Sequence, residues 1–414
     1  MRVGVFIEQE ITVGGGFQQA FSVINLLNSN PLENIEYIFF VFTEENKIIL
    51  EQNGINAVLI DITPKINLKN DSSIKQRLKK FLQRHGLLYI PPVKPEVWKR
   101  DILKLNKLDE LLEKNKIDLA YFLTPSTYAM GIKKIPYIYT VWDQCQRDWP
   151  EFPEVRSNFQ FEFRELNYSK SCPKAIAVLV DSEQAKRDLS FHYRVDLNRI
   201  HVAPFFPLES DNLKPDNNVM NKFNIKRPFI FYPAQLWPHK NHRYIIEALK
   251  ILKDSGTIID AVFTGSEKGN GEFLKDFTKK LNLEDQIHFL GFVERSEIIG
   301  FYNNALALVM PTYLGHTNIP PLEAFLYNCP VCYSDLPDLR EQVGEAAFLM
   351  NLNDPNSLVE ILKLISNGEN KNKNIVQEKI KLGHEQLKKF SAENYLNVLK
   401  NIFENYMQIK KCWS

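Results

Sequence analysis

The sequence predicts an α/β protein of two parallel-sheet domains, and three observations carry that expectation. At 414 residues the chain suits two domains better than one. In both halves, short apolar runs alternate with helical segments, the rhythm that parallel βαβ units require. That rhythm breaks once, over Pro207 to Pro228, where prolines, asparagines and aspartates replace apolar periodicity. The expected division is 1–206, then 207–390, then a closing helical segment 391–414.

The first strand is expected at Val3 to Phe6, leading through Gly14-Gly15-Gly16 into a helix from Phe17 to Leu27. A glycine-rich turn between strand and helix lets backbone approach a phosphate or sugar closely. Gly15 and Gly16 are therefore candidates for ligand contact, although an ordinary turn explains them equally. Strands follow at Tyr37–Phe42 and Ala57–Ile60. Ile74 to Leu88 is then basic and amphipathic: Ile74, Leu78, Phe81 and Leu82 share a face, with Lys75, Arg77, Lys79, Lys80 and Arg84 around it. Such a helix packs its stripe on a core or lies on an anionic membrane surface. Glu96 to Lys114 reads as a charged helix. Strands recur at Leu119–Leu123 and Ile135–Val141.

That last strand runs into Trp142, Asp143 and the stretch Trp149-Pro150-Glu151-Phe152. Charged and aromatic side chains at the carboxyl end of a parallel strand mark a usual place for chemistry. Asp143 could orient an acceptor hydroxyl or take its proton; as a turn residue it needs no ligand. Trp142 suits a sugar face or a core equally. Ala175–Val180 is the next strand, followed by Asp181-Ser182-Glu183, in which Ser182 is a helix N-cap. Arg199–Phe205 closes the half.

Beyond the break, Phe229–Tyr232 is a strand followed by Gln235, Trp237, His239, Lys240 and a helix to Asp254, with Asn241 as its cap. A lysine at a helix start suits a diphosphate. Strands at Ile259–Thr264 and Ile287–Leu290 and a helix at Ser296–Ala305 lead to the most informative stretch, PTYLGHTNIPPLEAFLYNCPVCYSD, residues 311–335. Leu306–Met310 reads as a buried strand. Gly315-His316-Thr317-Asn318 is a polar turn, Pro320-Pro321 opens a helix, and Val331–Asp335 is the next strand. Free amides at that helix start favour an anion, and Glu323, placed in the first turn, could reach nearby hydroxyls. A short helix at Leu339–Val343, a strand at Ala347–Met350 and a helix from Asn356 follow. Asn374 to Lys411 reads as a helical tail.

PPLEAFLYNCPV followed by SD resembles the signature of the family 4 nucleotide-sugar glycosyltransferases. The resemblance covers nearly the whole chain and is strongest from Phe229 to Asp335. It implies the glycosyltransferase B fold: two Rossmann-like domains facing a deep cleft, the last helix crossing back to the first domain. It also implies a retaining transfer of sugar from a nucleotide diphosphate sugar to a glycan or lipid-linked saccharide, in cell-surface polysaccharide synthesis. In the family pattern two glutamates hold the donor. Glu323 matches the one that binds the ribose, while Gly315 stands where the sugar-binding one is expected. Lys240 matches a phosphate-binding lysine, Gln235 replaces its usual arginine partner, and Trp142 replaces a histidine before Asp143. Ile319 joins the polar turn among the donor contacts. His316, Thr317 and Asn318 are expected to supply hydrogen bonds that Gly315 does not. Asp143 and Lys240 are the expected catalytic residues. In this family basic amphipathic helices often meet lipid-linked acceptors, which keeps peripheral membrane contact through 74–88 open.

Bulk properties set limits. Lysine plus arginine number 51 against 50 acidic residues, so no global field favours nucleic acid. The five cysteines are scattered, which argues for a reducing compartment. Cys329-Pro-Val-Cys332 closes a helix rather than opening one, so it reads as packing rather than redox chemistry. No ligand cluster suggests a metal, no cofactor is expected, and no apolar run is long enough to span a bilayer. With no signal peptide visible, a cytoplasmic protein is expected. Two other readings fit the same fold class: a nucleotide-sugar epimerase, and a non-catalytic sugar-nucleotide-binding protein.

Overall fold

A computed structural model describes residues 1–8, 15–60, 108–207, 214–367 and 369–413. The glycine-rich turn before Gly15, the amphipathic stretch Ile74 to Leu88 and most of the charged helix after Glu96 lie outside these residues.

Two sheets organise the described residues, and all their pairings are parallel. The first contains β1 (Arg2–Ile7), β2 (Glu36–Val41), β3 (Ala57–Leu59), β4 (Leu119–Phe122), β5 (Tyr137–Thr140), β6 (Ala177–Val180) and β7 (Ile200–Val202), in the order β3-β2-β1-β4-β5-β6-β7. The second contains β8 (Phe229–Pro233), β9 (Asp260–Thr264), β10 (Ile287–Gly291), β11 (Leu308–Met310), β12 (Val331–Ser334) and β13 (Phe348–Met350), in the order β10-β9-β8-β11-β12-β13. Both are doubly wound. The strand order reverses between β1 and β4 and again between β8 and β11, where such sheets open a crevice at the carboxyl ends.

The strands are apolar along their length because helices cover both faces. All four residues of β4, β5, β6 and β12 are buried. Strand β7 is shorter than expected from Arg199–Phe205: its pairing with β6 ends at Val202, and only one further backbone bond, Ala203 N–H to Val180, continues it.

The tail, expected to be helical with a closing segment from 391, is two helices, Asn370–Leu387 and Ala392–Lys410. Ser391 caps the second by accepting from the Asn394 amide at 3.1 Å. The first packs on the second domain, and Gly383 makes this possible: a Cβ there would lie 2.5 Å from the Phe325 ring. The second belongs to the core of the first domain, where Tyr395, Leu399, Ile402, Phe403 and Tyr406 are buried. Tyr395 shares a 2.7 Å hydroxyl–hydroxyl bond with Tyr121 of β4, and the Tyr406 hydroxyl donates to the Asp118 carbonyl at 3.1 Å. The break at 388–391 is where the chain passes from one domain to the other.

Side chains from the two carboxyl-end faces meet across the cleft. Glu154 accepts from the His239 amide at 3.0 Å. Glu341 accepts from the Glu183 amide, at the start of the helix Glu183–Tyr193, at 3.0 Å. Cys145, Val155 and Leu314 form a small apolar cluster with Trp149, Phe152 and Tyr313 around it.

Candidate functional site at the domain boundary

The reversal point of the second sheet brings together the residues that follow β8 and β11. After β8, a single 3-10 turn, Pro238–Lys240, sends the Lys240 ammonium toward the loop after β11, where it donates to Asn318 Oδ1 at 3.2 Å. Burial lowers the Lys240 pKa to about 8, although the charge of Asp143 pulls the other way. The hydrogen bond of this cation goes to a neutral amide, and among the described residues no carboxylate forms an ion pair with it. Asn241 stands at the N-cap of the helix His242–Asp254, as expected, but with a left-handed backbone, φ of 54°, and no side-chain capping bond. Gln235 Oε1 accepts from the Trp237 indole at 3.0 Å, so it braces the wall after β8. His242 is buried against Tyr232 and Phe263 and held neutral by burial.

The loop after β11 is tightly wired. Gly315 has φ of +97°, and a Cβ there would meet both amide atoms of Asn318 at 2.9 Å. A side chain at this position is strained by the backbone conformation and would have to displace the Asn318 amide. The Asn318 amide nitrogen donates to the Gly315 carbonyl at 2.6 Å and the Tyr333 hydroxyl at 2.7 Å. The Asn318 N–H donates to Gln342 and the Thr317 N–H to Asp181, so these two amides are already engaged. Pro320 and Pro321 have no N–H. The helix start thus offers fewer donors than its sequence suggests.

Two further corrections follow. The helix is Ile319–Leu326, beginning before the prolines, so Glu323 lies beyond its first turn. Of the three polar loop residues expected to offer hydrogen bonds, Thr317 and Asn318 spend theirs inside the protein. The ring of His316 remains, 5% exposed, with Nδ1 unpartnered.

Glu323 is buried and held by an ion pair with Arg295 and a 3.0 Å bond from the Tyr302 hydroxyl. Arg295 Nη2 has no hydrogen-bond partner. Neither Arg295 nor Tyr302 was distinguishable in sequence, since both sit unremarkably in the helix Arg295–Asn304.

On the first-domain side, Asp143 Oδ1 accepts from the Cys145 amide at 3.1 Å and pairs with Arg164. Burial would raise its pKa, but the Arg164 guanidinium holds it down at about 2. Such a carboxylate stays ionised and accepts hydrogen bonds, and it is a weak proton acceptor. The geometry therefore favours the orienting half of the expectation for Asp143. Trp142 buries an indole N–H without a partner. Gly15 and Gly16 open the helix Gly15–Ser29, the first helix after β1 among the described residues. At the end of β1, Glu8 has its pKa raised by burial and one oxygen unpartnered. Asp181 is the most informative residue that the motif reading passed over. It stands at the carboxyl end of β6, 2% exposed, and accepts from the Thr317 amide at 2.8 Å. Its place at a strand end was the same signal that singled out Asp143.

Among the described residues, no group of three or more His, Cys, Asp or Glu side chains could hold a metal ion, and no helix is long and apolar enough to cross a membrane. All five cysteines are free, Cys329 and Cys332 fully within the second core.

Comparison with known proteins agrees with this architecture. The family model for glycosyl transferases group 1 matches residues 214–382. The O-antigen chain mannosyltransferase RfbU of Salmonella typhimurium is 28% identical over 188 residues, covering 44% of this chain and 52% of that protein. The Escherichia coli UDP-Gal:alpha-D-GlcNAc-diphosphoundecaprenol alpha-1,3-galactosyltransferase is 26% identical over 284 residues, covering 64% of this chain and 70% of that protein. The match thus spans about half the length of the mannosyltransferase. Anabaena HepE, solved in complex with UDP, superimposes with a TM-score of 0.66 at 16% identity, over 99% of this chain and 100% of that one. The chain accordingly has two Rossmann-like domains in the glycosyltransferase B arrangement, and its second domain is similar to the glycosyl transferases group 1 over residues 214–382.

Proposed function

We propose that this protein is a retaining glycosyltransferase that moves a sugar from a nucleotide diphosphate sugar to a glycan or lipid-linked saccharide during polysaccharide synthesis. The observation that carries this reading is the placement of the Lys240 ammonium 3.2 Å from Asn318 Oδ1, between the ends of β8 and β11. A half-buried cation with only a neutral partner at a sheet reversal point suits a diphosphate. The named mannosyl- and galactosyltransferase relatives support the same reading.

In this reading Lys240 neutralises the charge that builds on the departing diphosphate, the largest contribution expected from such a site. Glu323, fixed in orientation by Arg295 and Tyr302, accepts the ribose hydroxyls. The acceptor enters from the first domain near Gly15, Gly16 and Asp143. Asp143 aligns the attacking hydroxyl on the face from which the diphosphate leaves, which retains the anomeric configuration. Neutralisation by Lys240 is taken to suffice without a metal ion, so transfer should persist in a chelator. We assign to the basic stretch 74–88 contact with the anionic surface that carries a lipid-linked acceptor.

The experiment is to incubate the protein with a panel of nucleotide sugars and follow nucleoside diphosphate release with and without saccharide acceptors. Acceptor-stimulated release from one donor class, with a product of unchanged anomeric configuration by NMR, is expected. No release and no calorimetric binding of any nucleoside diphosphate would refute the reading.

A further inference from the structure

We infer that the groove between the last helix and the amino-terminal edge of the first sheet binds an amphipathic anion, a ligand with a hydrocarbon body and one phosphate or carboxylate head. The inference is independent of the nucleotide-sugar reading above.

The groove has a volume of about 790 Å³, within the range of small-molecule sites. One wall is the start of β5 and β6, where Tyr137 and Ala177 are the first strand residues. Asp143 and Asp181 follow the other ends of those strands, so the groove and the cleft lie at opposite ends of the sheet. Ile402, Tyr406 and Ile409 of the last helix, with Trp413 just beyond it, form the facing wall.

The walls call for hydrocarbon. Five isoleucines line the groove, and their surface offers no hydrogen bond to a polar ligand. Both tyrosine hydroxyls are spent inside the protein: that of Tyr137 donates to the Ser171 carbonyl at 2.7 Å, and that of Tyr406 to the Asp118 carbonyl at 3.1 Å. At the rim Ile409 is 59% exposed and Trp413 63% exposed. A ligand seated there takes both apolar side chains out of water.

The charge calls for an anion. Three lysines and no Asp or Glu line the groove. Lys134 pairs with Glu113 at 2.8 Å, whereas among the described residues no carboxylate pairs with Lys133 or Lys174. The Lys174 ammonium donates to the Met130 carbonyl at 3.0 Å, which orients the charge without neutralising it. Burial lowers the Lys174 pKa; the charge of Asp109 opposes that shift and the charge of Lys133 adds to it. Asp109 is itself engaged by the backbone amides of Lys133 and Lys134, at 3.0 and 3.3 Å. The two ammonium groups thus repel each other beside an apolar groove, and an anionic head bound there relieves the repulsion.

The test titrates the protein with decyl phosphate below its micellar concentration, with decanol, with inorganic phosphate and with phosphatidylglycerol vesicles, reading tryptophan fluorescence and the thermal midpoint. Decyl phosphate should bind saturably, shift the emission of the wild type but not of Trp413→Phe, and raise the midpoint. Decanol and inorganic phosphate should each bind at least about tenfold more weakly. Lys133→Gln combined with Lys174→Gln should weaken decyl phosphate binding about tenfold or more, and Ile409→Asn about fivefold. If the double variant does not fold, judged by its thermal transition, Lys133→Gln and Ile409→Asn, both at exposed positions, carry the comparison. Vesicle binding weakened by the same substitutions would name a bilayer lipid as the source, and decyl phosphate binding without vesicle binding would name a free amphiphile; both sustain the inference. Equal affinity for decanol, unchanged affinity in the variants, a lowered midpoint, or binding to vesicles alone would overturn it. Failure of the wild type to bind any nucleoside diphosphate overturns the functional reading and leaves this inference standing.

Discussion

Replacing Lys240 by methionine should make the ligand-free protein more stable while removing its grip on the diphosphate. Burial lowers the lysine pKa from the ordinary 10.5 to about 8. At about 1.36 kcal/mol per unit, that gap corresponds to roughly 3 kcal/mol of penalty for keeping the charged form in the folded state. The side chain retains some contact with water, so a discounted ~1–2 kcal/mol is the sounder expectation. Methionine fills similar space without a charge, and the thermal midpoint at pH 7 should rise by about 2–6 °C. The sign with pH follows from proton counting. Between pH 8 and 10.5 the unfolded lysine holds a proton that the folded one has released, so wild-type stability from this group rises with pH there. The penalty is full below about pH 8 and gone above about 10.5, and the advantage of the variant should shrink over that window. Losing a charge-assisted contact should weaken nucleoside diphosphate binding by roughly 10- to 100-fold. In the wild type that affinity should itself decline above about pH 8, as the free lysine loses its proton. Differential scanning calorimetry at pH 7 and 9.5, with titration calorimetry of UDP and GDP, measures all of this. A variant that melts lower than wild type at pH 7, or binds diphosphate as tightly, would refute the argument.

Three more outcomes are expected. Arg164→Met should destabilise the fold by about 1–3 kcal/mol, because it strands the Asp143 carboxylate; adding Asp143→Asn should restore most of the loss in urea unfolding, and no restoration would mean that Arg164 acts by packing alone. Gly315→Ala should cost about 1–3 kcal/mol from its φ of +97° and its contact with Asn318, and should weaken donor binding, as equilibrium unfolding and titration calorimetry would measure. Leu399→Ala should cost about 2–5 kcal/mol, since this fully buried side chain seats the last helix in the first core; a loss below about 1 kcal/mol in urea unfolding would show that the helix contributes little to that domain.

Much of the architecture could be read from the chain because it is local. The apolar runs of β8 and β11, the paired prolines before Leu322 and the polar loop 315–318 each announce their own conformation through residues adjacent in sequence. Lys240 was legible for the same reason, being tied to the end of a strand. The tail was less so: its apolar repeat continues through 388–391, and the demand of two separate cores, with Gly383 against Phe325 and Tyr395 bonded to Tyr121 of β4, breaks it into two helices.

What sequence alone determined here is the alternation of parallel strands and helices, the two-domain plan and the position of the loops at the carboxyl ends of the strands. Those follow from periodicity, and periodicity reports which face a residue turns inward. It does not report what that face will meet. The pairing of Asp143 with Arg164 spans 21 residues, that of Glu323 with Arg295 spans 28, and that of Asp181 with Thr317 spans 136 and joins two domains. Each changes the chemistry of a candidate residue: Asp143 becomes a weak base, Glu323 becomes fixed in orientation, and Asp181 is tied to the loop after β11. Only the tertiary structure could decide these, because the free energy of a charged side chain is set by its neighbours in space.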